Sequence, residues 1–279
     1  MSRYALLLMT AAVLASAQLV EQPSTPKIPP DQRAKQVIDD AVAALGGEKF
    51  LAMADRSEIG RAYSFYNDQL TGLSIAKIYT RYQTVERSKS GHDLAVKERQ
   101  VFGKKEDTSV VLTEDGGFNL NWRGAKPLTA QEFARYRESA LRNLFYILRQ
   151  RLREPGLTFE SRAAEVVDHQ PVEVVDIIDS ENRVVTAYFH QTTKLPVKQY
   201  FMRMDPKTRD RTDEVTYYAR YRTNDGIQWP QEITRERNGE KIYQIFAETV
   251  RFNQDLTDDL FTAPPPAAPT TPVKPKPKK

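Results

Sequence analysis

The sequence predicts an α+β protein that is mainly β. We expect an unclosed antiparallel β-barrel, or strongly curved sheet, of about 10–11 strands with helices packed on its concave side. Apolar and polar residues alternate with a period of two through two long stretches, 57–122 and 172–252. The turns between these strands leave no room for crossover helices, which favours antiparallel pairing. Two amphipathic helical patterns interrupt or precede the strands, and they need an apolar surface to cover.

The first helical pattern opens the predicted domain, which spans residues 31–262. Asp31 is expected to cap this helix, and Gly46-Gly47 supplies a left-handed stop. A short second turn is predicted around Phe50 and Leu51. One face carries apolar residues at three-and-four spacing, namely Ala34, Val37, Ile38, Ala41, Val42 and Leu45. This face predicts a helix packed on the sheet.

The clearest strand pair of the first half is a hairpin. Residues 110–112 precede the turn sequence Glu114-Asp115-Gly116-Gly117. Phe118, Leu120 and Trp122 follow and alternate with asparagines, so one face of this strand is strongly apolar. In the second half, six further strands are predicted at 172–178, 184–189, 195–204, 215–221, 227–234 and 241–252.

The second helical pattern, residues 129–152, lies between the two sets of strands. Thr129 and Glu132 have the spacing of a capping box. Arginines lie mostly off the apolar stripe, so they are expected on a solvated face. The stripe consists of Phe133, Tyr136, Ala140, Leu141, Leu144, Phe145, Leu148 and Leu152. We expect this helix to dock on the sheet, where it could act as a lid over an apolar cavity.

The N-terminus has the pattern of a cleavable export signal. A charged start precedes a short apolar block and the small residues Ala15-Ser16-Ala17. Cleavage is expected after Ala17, which predicts a periplasmic protein with no transmembrane segment in the mature chain. Residues 18–30 are predicted to form a proline-rich linker, and residues 263–279 a disordered tail rich in proline and lysine.

The formal net charge of +4 belongs mainly to the tail, which carries four lysines. The predicted domain is therefore nearly neutral, and nucleic-acid binding is not expected. The tail is expected to be solvated, or to attract an anionic envelope surface or envelope proteins.

No catalytic or metal-binding motif is evident. The chain has no cysteine, which removes disulfides, thiolate ligands and the acylated cysteine of a bacterial lipoprotein. The three histidines, His92, His169 and His190, fall in different predicted hairpins without metal-site spacing. Asp168 beside His169 could form half of a catalytic pair, but neighbours on a strand point to opposite faces. We therefore expect no enzyme activity, no metal and no cofactor.

Several segments, taken together with the export signal, resemble the outer-membrane lipoprotein-sorting (LolA/LolB-like) superfamily of exported bacterial proteins. These segments are Ala43-Ala44-Leu45-Gly46-Gly47, Leu195-Pro196-Val197, Asp225-Gly226-Ile227, Trp229-Pro230, Phe252-Asn253 and Asp258-Asp259-Leu260-Phe261. The resemblance spans about residues 31–264. It implies an unclosed antiparallel β-barrel of about eleven strands with a helical lid, and acyl chains bound in an apolar cavity. Because no cysteine follows the signal, it does not extend to a membrane-anchored acceptor lipoprotein.

The leading functional hypothesis is a soluble periplasmic carrier that holds a lipid, lipoprotein acyl chains or another long apolar ligand without changing it chemically. The side chains expected to line its cavity are Phe118, Leu120, Trp122, Tyr136, Phe145 and Leu148. The alternative is an envelope interaction or sensor module, with a filled barrel that binds a protein or an anionic polymer. A third hypothesis, an enzyme, requires His169, Glu173 and Asp176 to converge, which strand alternation disfavours.

Overall fold

The computed structural model describes residues 29–84, 94–106, 108–205 and 208–262. The predicted signal peptide at residues 1–17, the linker up to residue 28, His92 and the tail at residues 263–279 lie outside the described residues. In the described part of the chain, no helix combines the length and the apolar character needed to span a bilayer.

Two helices precede the sheet: α1 spans Pro30–Leu45 and α2 spans Glu48–Leu51. The N-cap of α1 is Pro29, so Asp31 lies in the first helical turn and does not cap the helix as predicted. Proline suits the start of a helix because the N–H group it lacks would have no partner there. The apolar face of α1 is buried as predicted.

The two glycines after α1 end the helix and also allow a close contact. Gly46 and Gly47 have φ values of 128° and 57°, and the Gly47 N–H donates to the carbonyl of Val42 at 2.9 Å. A Cβ atom on Gly46 would lie 2.6 Å from the carbonyl oxygen of Gly226. Two segments noted in the sequence therefore meet in space, and only glycine fits at this contact.

The described strands number fourteen, more than the 10–11 predicted. Strands of three or four residues, such as β8, contain too few alternating positions to be recognised from the pattern. The strands are β1 Asp55–Tyr66, β2 Gln69–Tyr82, β3 Val96–Phe102, β4 Thr108–Leu112, β5 Gly117–Asn121, β6 Gly124–Pro127, β7 Thr158–Ser161, β8 Glu165–Val167, β9 Gln170–Ile178, β10 Val184–His190, β11 Pro196–Met204, β12 Arg211–Asn224, β13 Ile227–Arg237 and β14 Glu240–Phe252.

All the strands belong to one antiparallel sheet. Its order is β6-β5-β4-β3-β2-β1-β14-β13-β12-β11-β10-β9-β7, with β8 also paired to β9. The first and last strands pair in the middle, and no pairing among the described residues joins β6 to β7. The predicted fold class, an unclosed antiparallel barrel with few helices, is confirmed.

The predicted helix at residues 129–152 is broken into separate pieces. These are α3 at Ala130–Leu141, α4 at Leu144–Tyr146 and a π-helical turn at Ile147–Arg151. Asn143 has extended backbone angles, φ −68° and ψ 124°, and its side chain accepts a hydrogen bond from a backbone N–H of α4 at 3.0 Å. A local cap thus replaces one turn of the helix, because asparagine competes with helical hydrogen bonding. We call residues 144–151 the anchor segment.

The main core lies where α1, α2 and the anchor segment cover the concave side of the sheet. The ring of Phe145 lies 4.6 Å from the ring of Trp229 and 5.0 Å from that of Tyr218, measured between centroids. Leu144, Ile147 and Leu148 of the anchor segment are fully buried beside it. The strands β6 and β7 lie at opposite edges of the sheet, and the chain between them consists of α3 and the anchor segment. This connection crosses the concave side of the sheet and fills one half of it.

Candidate ligand-binding site

The concave face divides into an apolar half, filled by the main core, and a polar half beneath α3. Two rows of polar side chains cross the strands of the polar half. Strand register places Arg56, Thr80 and Glu98 in one row, on β1, β2 and β3. The second row, on β11, β12 and β13, consists of Gln199, Thr216 and Arg235. Polar side chains on an inward face require partners, so this half is built differently from an apolar barrel interior.

Arg56 forms the boundary between the two halves. Its guanidinium donates to the Thr80 hydroxyl at 3.0 Å and to the Tyr82 hydroxyl at 3.1 Å, and it pairs with Glu58 at 2.7 Å. The guanidinium carbon lies 4.2 Å from the centroid of the Trp229 ring, a cation–π distance. Burial lowers the pKa of Arg56, but Glu58 and Tyr82 outweigh it and the net pKa is raised. The side chain therefore stays charged.

Gln199 connects the second row to the helix break. Its amide oxygen accepts hydrogen bonds from the Leu144 N–H at 2.7 Å and from the Tyr218 hydroxyl at 2.6 Å. Its amide nitrogen donates to the carbonyl of Arg142 at 3.3 Å. This buried side chain fixes the end of α3 and the start of α4 on the sheet, so the break is positioned by a specific contact.

A cavity of about 150 Å³ lies between the two polar rows and the inner side of α3. Its wall includes Arg56, Tyr82, Glu98, Tyr136, Tyr146, Gln199 and Arg235. Burial raises the pKa of Tyr146 to about 12 and the pKa of Tyr136 well above its usual value. These phenols stay neutral at physiological pH and offer hydroxyl groups. An apolar ledge beside them is formed by Leu94, Val96, Ala140 and Leu141.

A larger groove of about 800 Å³ runs along the outer side of α3. It is bordered by α3 on one side and by the ends of β11, β12 and β13 on the other. Tyr136, Ser139 and Arg235 line both the groove and the cavity, so the two spaces adjoin. The groove also includes Arg135, Glu138, Arg203, Asp205 and Arg237.

The α3 helix is held on the sheet by few buried contacts. Leu141 is its single fully buried residue. Glu138 forms an ion pair with Arg142 in the following turn and lies 3.8 Å from Arg203 on the sheet. The predicted capping box is present, with Thr129 and Glu132 bonding each other's backbone N–H groups. The helix is therefore well formed but weakly attached, which is the property a lid requires.

The six predicted cavity residues do not share one wall. Tyr136 lines the cavity and the groove. Phe145 and Leu148 are buried in the main core. Phe118 pairs with Val111 across the hairpin, and Leu120 and Trp122 alternate onto the same face as Phe118. This face of the sheet is opposite to the concave face. Ligand binding at any of these side chains remains a prediction, and only Tyr136 is placed where the concave face is open.

The apolar face of the predicted hairpin has another covering. The closing segment of the chain forms a 3-10 turn at Asp258–Phe261, and Phe261 packs with Val111 and Leu120. Trp122 lies beyond this cluster with 78 % of its surface exposed, stacked on Arg123 at 4.5 Å. Alternation identified the apolar face, but it does not say which side of the sheet that face occupies.

Apart from Tyr136, the residues that line the polar cavity were missed from the sequence. Glu98 and Gln100 stand in a continuous polar run, 97–100, and Arg235 and Arg237 stand in another, 234–241. These strands are long and carry polar residues on both faces. A polar inward face is the sequence signal that could have identified the cavity residues. The pattern alone does not distinguish an inward polar face from an outward one.

The histidine and acidic residues considered for catalysis do not converge. Asp168 and His169 are the two central residues of the β8–β9 turn, with φ values of 48° and 63°. Glu173 pairs with Lys194 at 2.6 Å, while Asp176 accepts from the Thr186 hydroxyl at 2.7 Å. Within the described residues, no three His, Cys, Asp or Glu side chains are grouped as metal ligands would be.

No protein-family model and no curated protein sequence matches this chain. Solved structures do match over most of its length. A domain from Vibrio parahaemolyticus assigned to outer membrane lipoprotein sorting has a TM-score of 0.53 and 13 % identity, with 83 % of this chain and 97 % of that domain covered. The chain shares that domain's fold. A DUF1329 family protein from Desulfovibrio piger has a TM-score of 0.56 and 16 % identity, covering 84 % of this chain and 98 % of that protein.

The sequence resemblance to outer-membrane lipoprotein-sorting proteins is therefore confirmed at the level of the fold. At such low identity no individual site residue is transferred from these structures to the chain. The site must be judged from its own geometry.

Proposed function

We propose that this protein is a non-catalytic binding protein of the cell envelope that carries an amphipathic ligand, a lipid or lipoprotein acyl chains, on its concave face beneath α3. The observation that carries the proposal is a weakly attached amphipathic helix that lies over a cavity on the concave face of an unclosed barrel. The fold shared with a lipoprotein-sorting domain supports it, and the predicted export signal supports a periplasmic location.

The ligand chain requires α3 to move. Pockets for small molecules usually measure roughly 300–1,000 Å³, and the closed cavity has about 150 Å³. When α3 lifts about Asn143, the cavity merges with the groove beside it, and the apolar side chains of Leu94 and Val96 that Leu141 covers become accessible. An acyl chain would replace the apolar contacts that α3 gives up, so opening costs little when ligand is present.

The anchor segment keeps the rest of the fold intact during this movement. Arg149 donates to the carbonyl of Met53 at 2.9 and 3.1 Å, and Gln150 donates to the carbonyls of Gln83 and Ala95. These bonds hold residues 144–151 independently of α3. Opening is thereby confined to the twelve residues of the helix.

The proposal is tested by native mass spectrometry of protein purified from the envelope, followed by organic extraction of any released molecule. Binding of the neutral apolar probe N-phenylnaphthylamine is measured in parallel. Ala140→Asp places a carboxylate on the inner side of α3 and is expected to abolish the bound mass and weaken probe binding at least tenfold. Ala130→Asp, at the exposed first residue of the same helix, changes a position that lines neither the cavity nor the groove. It is the matched control and should bind as the unchanged protein does.

A second candidate is the interaction module that binds a protein or an anionic polymer. It is favoured by the small volume of the closed cavity and by the filling of the apolar half with Phe145 and Trp229. Bare mass in every preparation, together with equal probe signals for the Ala140→Asp and Ala130→Asp variants, would reject the carrier and leave this candidate. Pull-down from envelope extracts, with and without the lysine-rich tail, would then identify the partner.

A further inference from the structure

The groove beside α3 is lined by basic side chains from three different elements. Arg135 comes from α3, Arg203 from β11, and Arg235 and Arg237 from β13. These elements are distant in sequence, so the fold brings the four arginines to one place. Arginine presents a planar fork of N–H donors that matches the oxygens of a phosphate or a carboxylate.

Two acidic side chains in and near the groove, Glu138 and Glu214, pair with some of these arginines but not with all of them. Arg203 pairs with Glu214 and lies 3.8 Å from Glu138, and Arg237 lies 3.8 Å from the same Glu214. Glu138 is already paired with Arg142. Neither Arg135 nor Arg235 forms an ion pair with another described residue.

The local field in the groove is positive. The pKa of Arg203 is lowered, first by burial, which outweighs the attraction of Glu138, and further by the nearby Arg237, Arg142 and Arg135. An anion placed among these side chains would relieve their mutual repulsion. It would gain most beside Arg235 and Arg237, where Glu214 is the only nearby carboxylate that pairs with either side chain among the described residues.

The groove also has the right position relative to the cavity. Arg235 lines both spaces, together with Tyr136 and Ser139 of α3. A chain that lies under α3 would leave the cavity past these residues and bring its polar end among the arginines. The two adjoining spaces thus match the two parts of one amphipathic molecule.

We infer that the carried ligand has an anionic headgroup, a phosphate or a carboxylate, and that Arg235 and Arg237 bind it in the groove with support from Arg135 and Arg203. This inference rests on the proposed function. It adds selectivity, since a neutral amphiphile with the same chain would fill the space under α3 but leave Arg135 and Arg235 without an ion-pair partner.

The test compares three probes by isothermal titration calorimetry at low salt. These are dodecyl phosphate, dodecyl maltoside below its micelle concentration and inorganic phosphate. The Arg235→Gln/Arg237→Gln variant is compared with Arg33→Gln/Arg251→Gln, which removes the same charge at two exposed positions outside the groove. Circular dichroism and the melting temperature check that both variants fold.

Dodecyl phosphate is expected to bind at least tenfold more tightly than dodecyl maltoside. The groove variant should lose this preference, while the control variant keeps it and dodecyl maltoside binds all three proteins alike. Equal binding of both amphiphiles, or a preference unaffected by the groove variant, overturns the anionic headgroup and leaves the carrier standing. Binding of inorganic phosphate without either amphiphile overturns the headgroup and the carrier together, as does the absence of any binding.

Discussion

α3 and the anchor segment are predicted by one continuous apolar stripe, yet they differ in almost every physical property. The anchor segment buries Leu144, Phe145, Ile147 and Leu148, whereas α3 buries Leu141 alone. Hydrogen bonds fix the anchor segment to neighbouring elements at both ends. The same helical pattern therefore contains one part that holds the fold together and one part that is free to act as a lid.

The underlying sheet explains this difference. The anchor segment faces strands whose inward residues are apolar, such as Val175 and Ala187, so docking there removes apolar surface from water. α3 faces the two polar rows, in which Arg56 already bonds Thr80, and Gln199 already bonds Leu144 and Tyr218. A helix gains little by covering such a surface, and its attachment depends on the Leu94–Leu141 ledge and on ion pairs.

The largest expected contrast is in stability. Phe145→Ala should lower the free energy of unfolding by about 3–5 kcal/mol, because it leaves a cavity among Phe50, Tyr218 and Trp229. Phe133→Ala, the same substitution in half-buried α3, should cost about 1 kcal/mol or less. Urea unfolding followed by tryptophan fluorescence measures both. Similar losses in the two variants would mean that α3 is as firmly docked as the anchor segment.

A smaller effect, with a characteristic pH dependence, is expected at the end of the anchor segment. The buried Arg151 pairs with Glu154 at 2.6 Å and with Asp179 at 3.0 Å. Burial acts to raise the pKa of Asp179, but hydrogen bonds from Arg183 and Arg151 outweigh it and hold the pKa below its usual value. This carboxylate therefore stabilises the fold above the unfolded-state pKa, roughly 3.9, and the contribution is lost as the pH falls through the lower folded-state pKa.

Asp179→Asn should accordingly lower the free energy of unfolding by about 1.5–3 kcal/mol at pH 7. The difference in the free energy of unfolding between the variant and the unchanged protein should shrink as the pH is lowered from 4 toward 2. Denaturation curves recorded at each pH measure this difference. The exposed Asp31→Asn serves as a control and should show no such convergence. If the difference in the free energy of unfolding stays constant down to pH 2, the negative charge of Asp179 is not what stabilises the fold.

The sequence predicted the architecture better than the site for a physical reason. Local turn chemistry and alternation determine strands and their pairing, and the Gly46-Gly47 stop forms as expected, with both glycines at positive φ. The site depends on which face of each strand points inward. The inward face depends on how all the strands pair and curve in the sheet, because alternation with a period of two looks the same whichever face points inward.

Trp122 and Arg235 illustrate the two errors that follow. The tryptophan belongs to an apolar face that the closing segment, and not the lid, covers at Leu120. The arginine belongs to a continuous polar run, 234–241, which carries no sign of an inward face, but its partners across the sheet are Thr216 and Gln199 on the inner face. The strand order, more than the residue types, shows that Trp122 faces away from the concave side and that Arg235 faces toward it.

The smallest expected effect concerns the lid alone. Thr129→Ala removes the side-chain bond to the Glu132 N–H and half of the capping box, which should destabilise α3 by about 0.5–2 kcal/mol. Thr257→Ala is the matched control, because Thr257 is also an N-cap residue but its side chain makes no capping bond. Hydrogen exchange should accelerate by about 2- to 30-fold within residues 130–141 and remain unchanged within residues 144–151. Faster exchange in both segments would mean that they open as one unit, and α3 could not then serve as a lid on a fixed anchor.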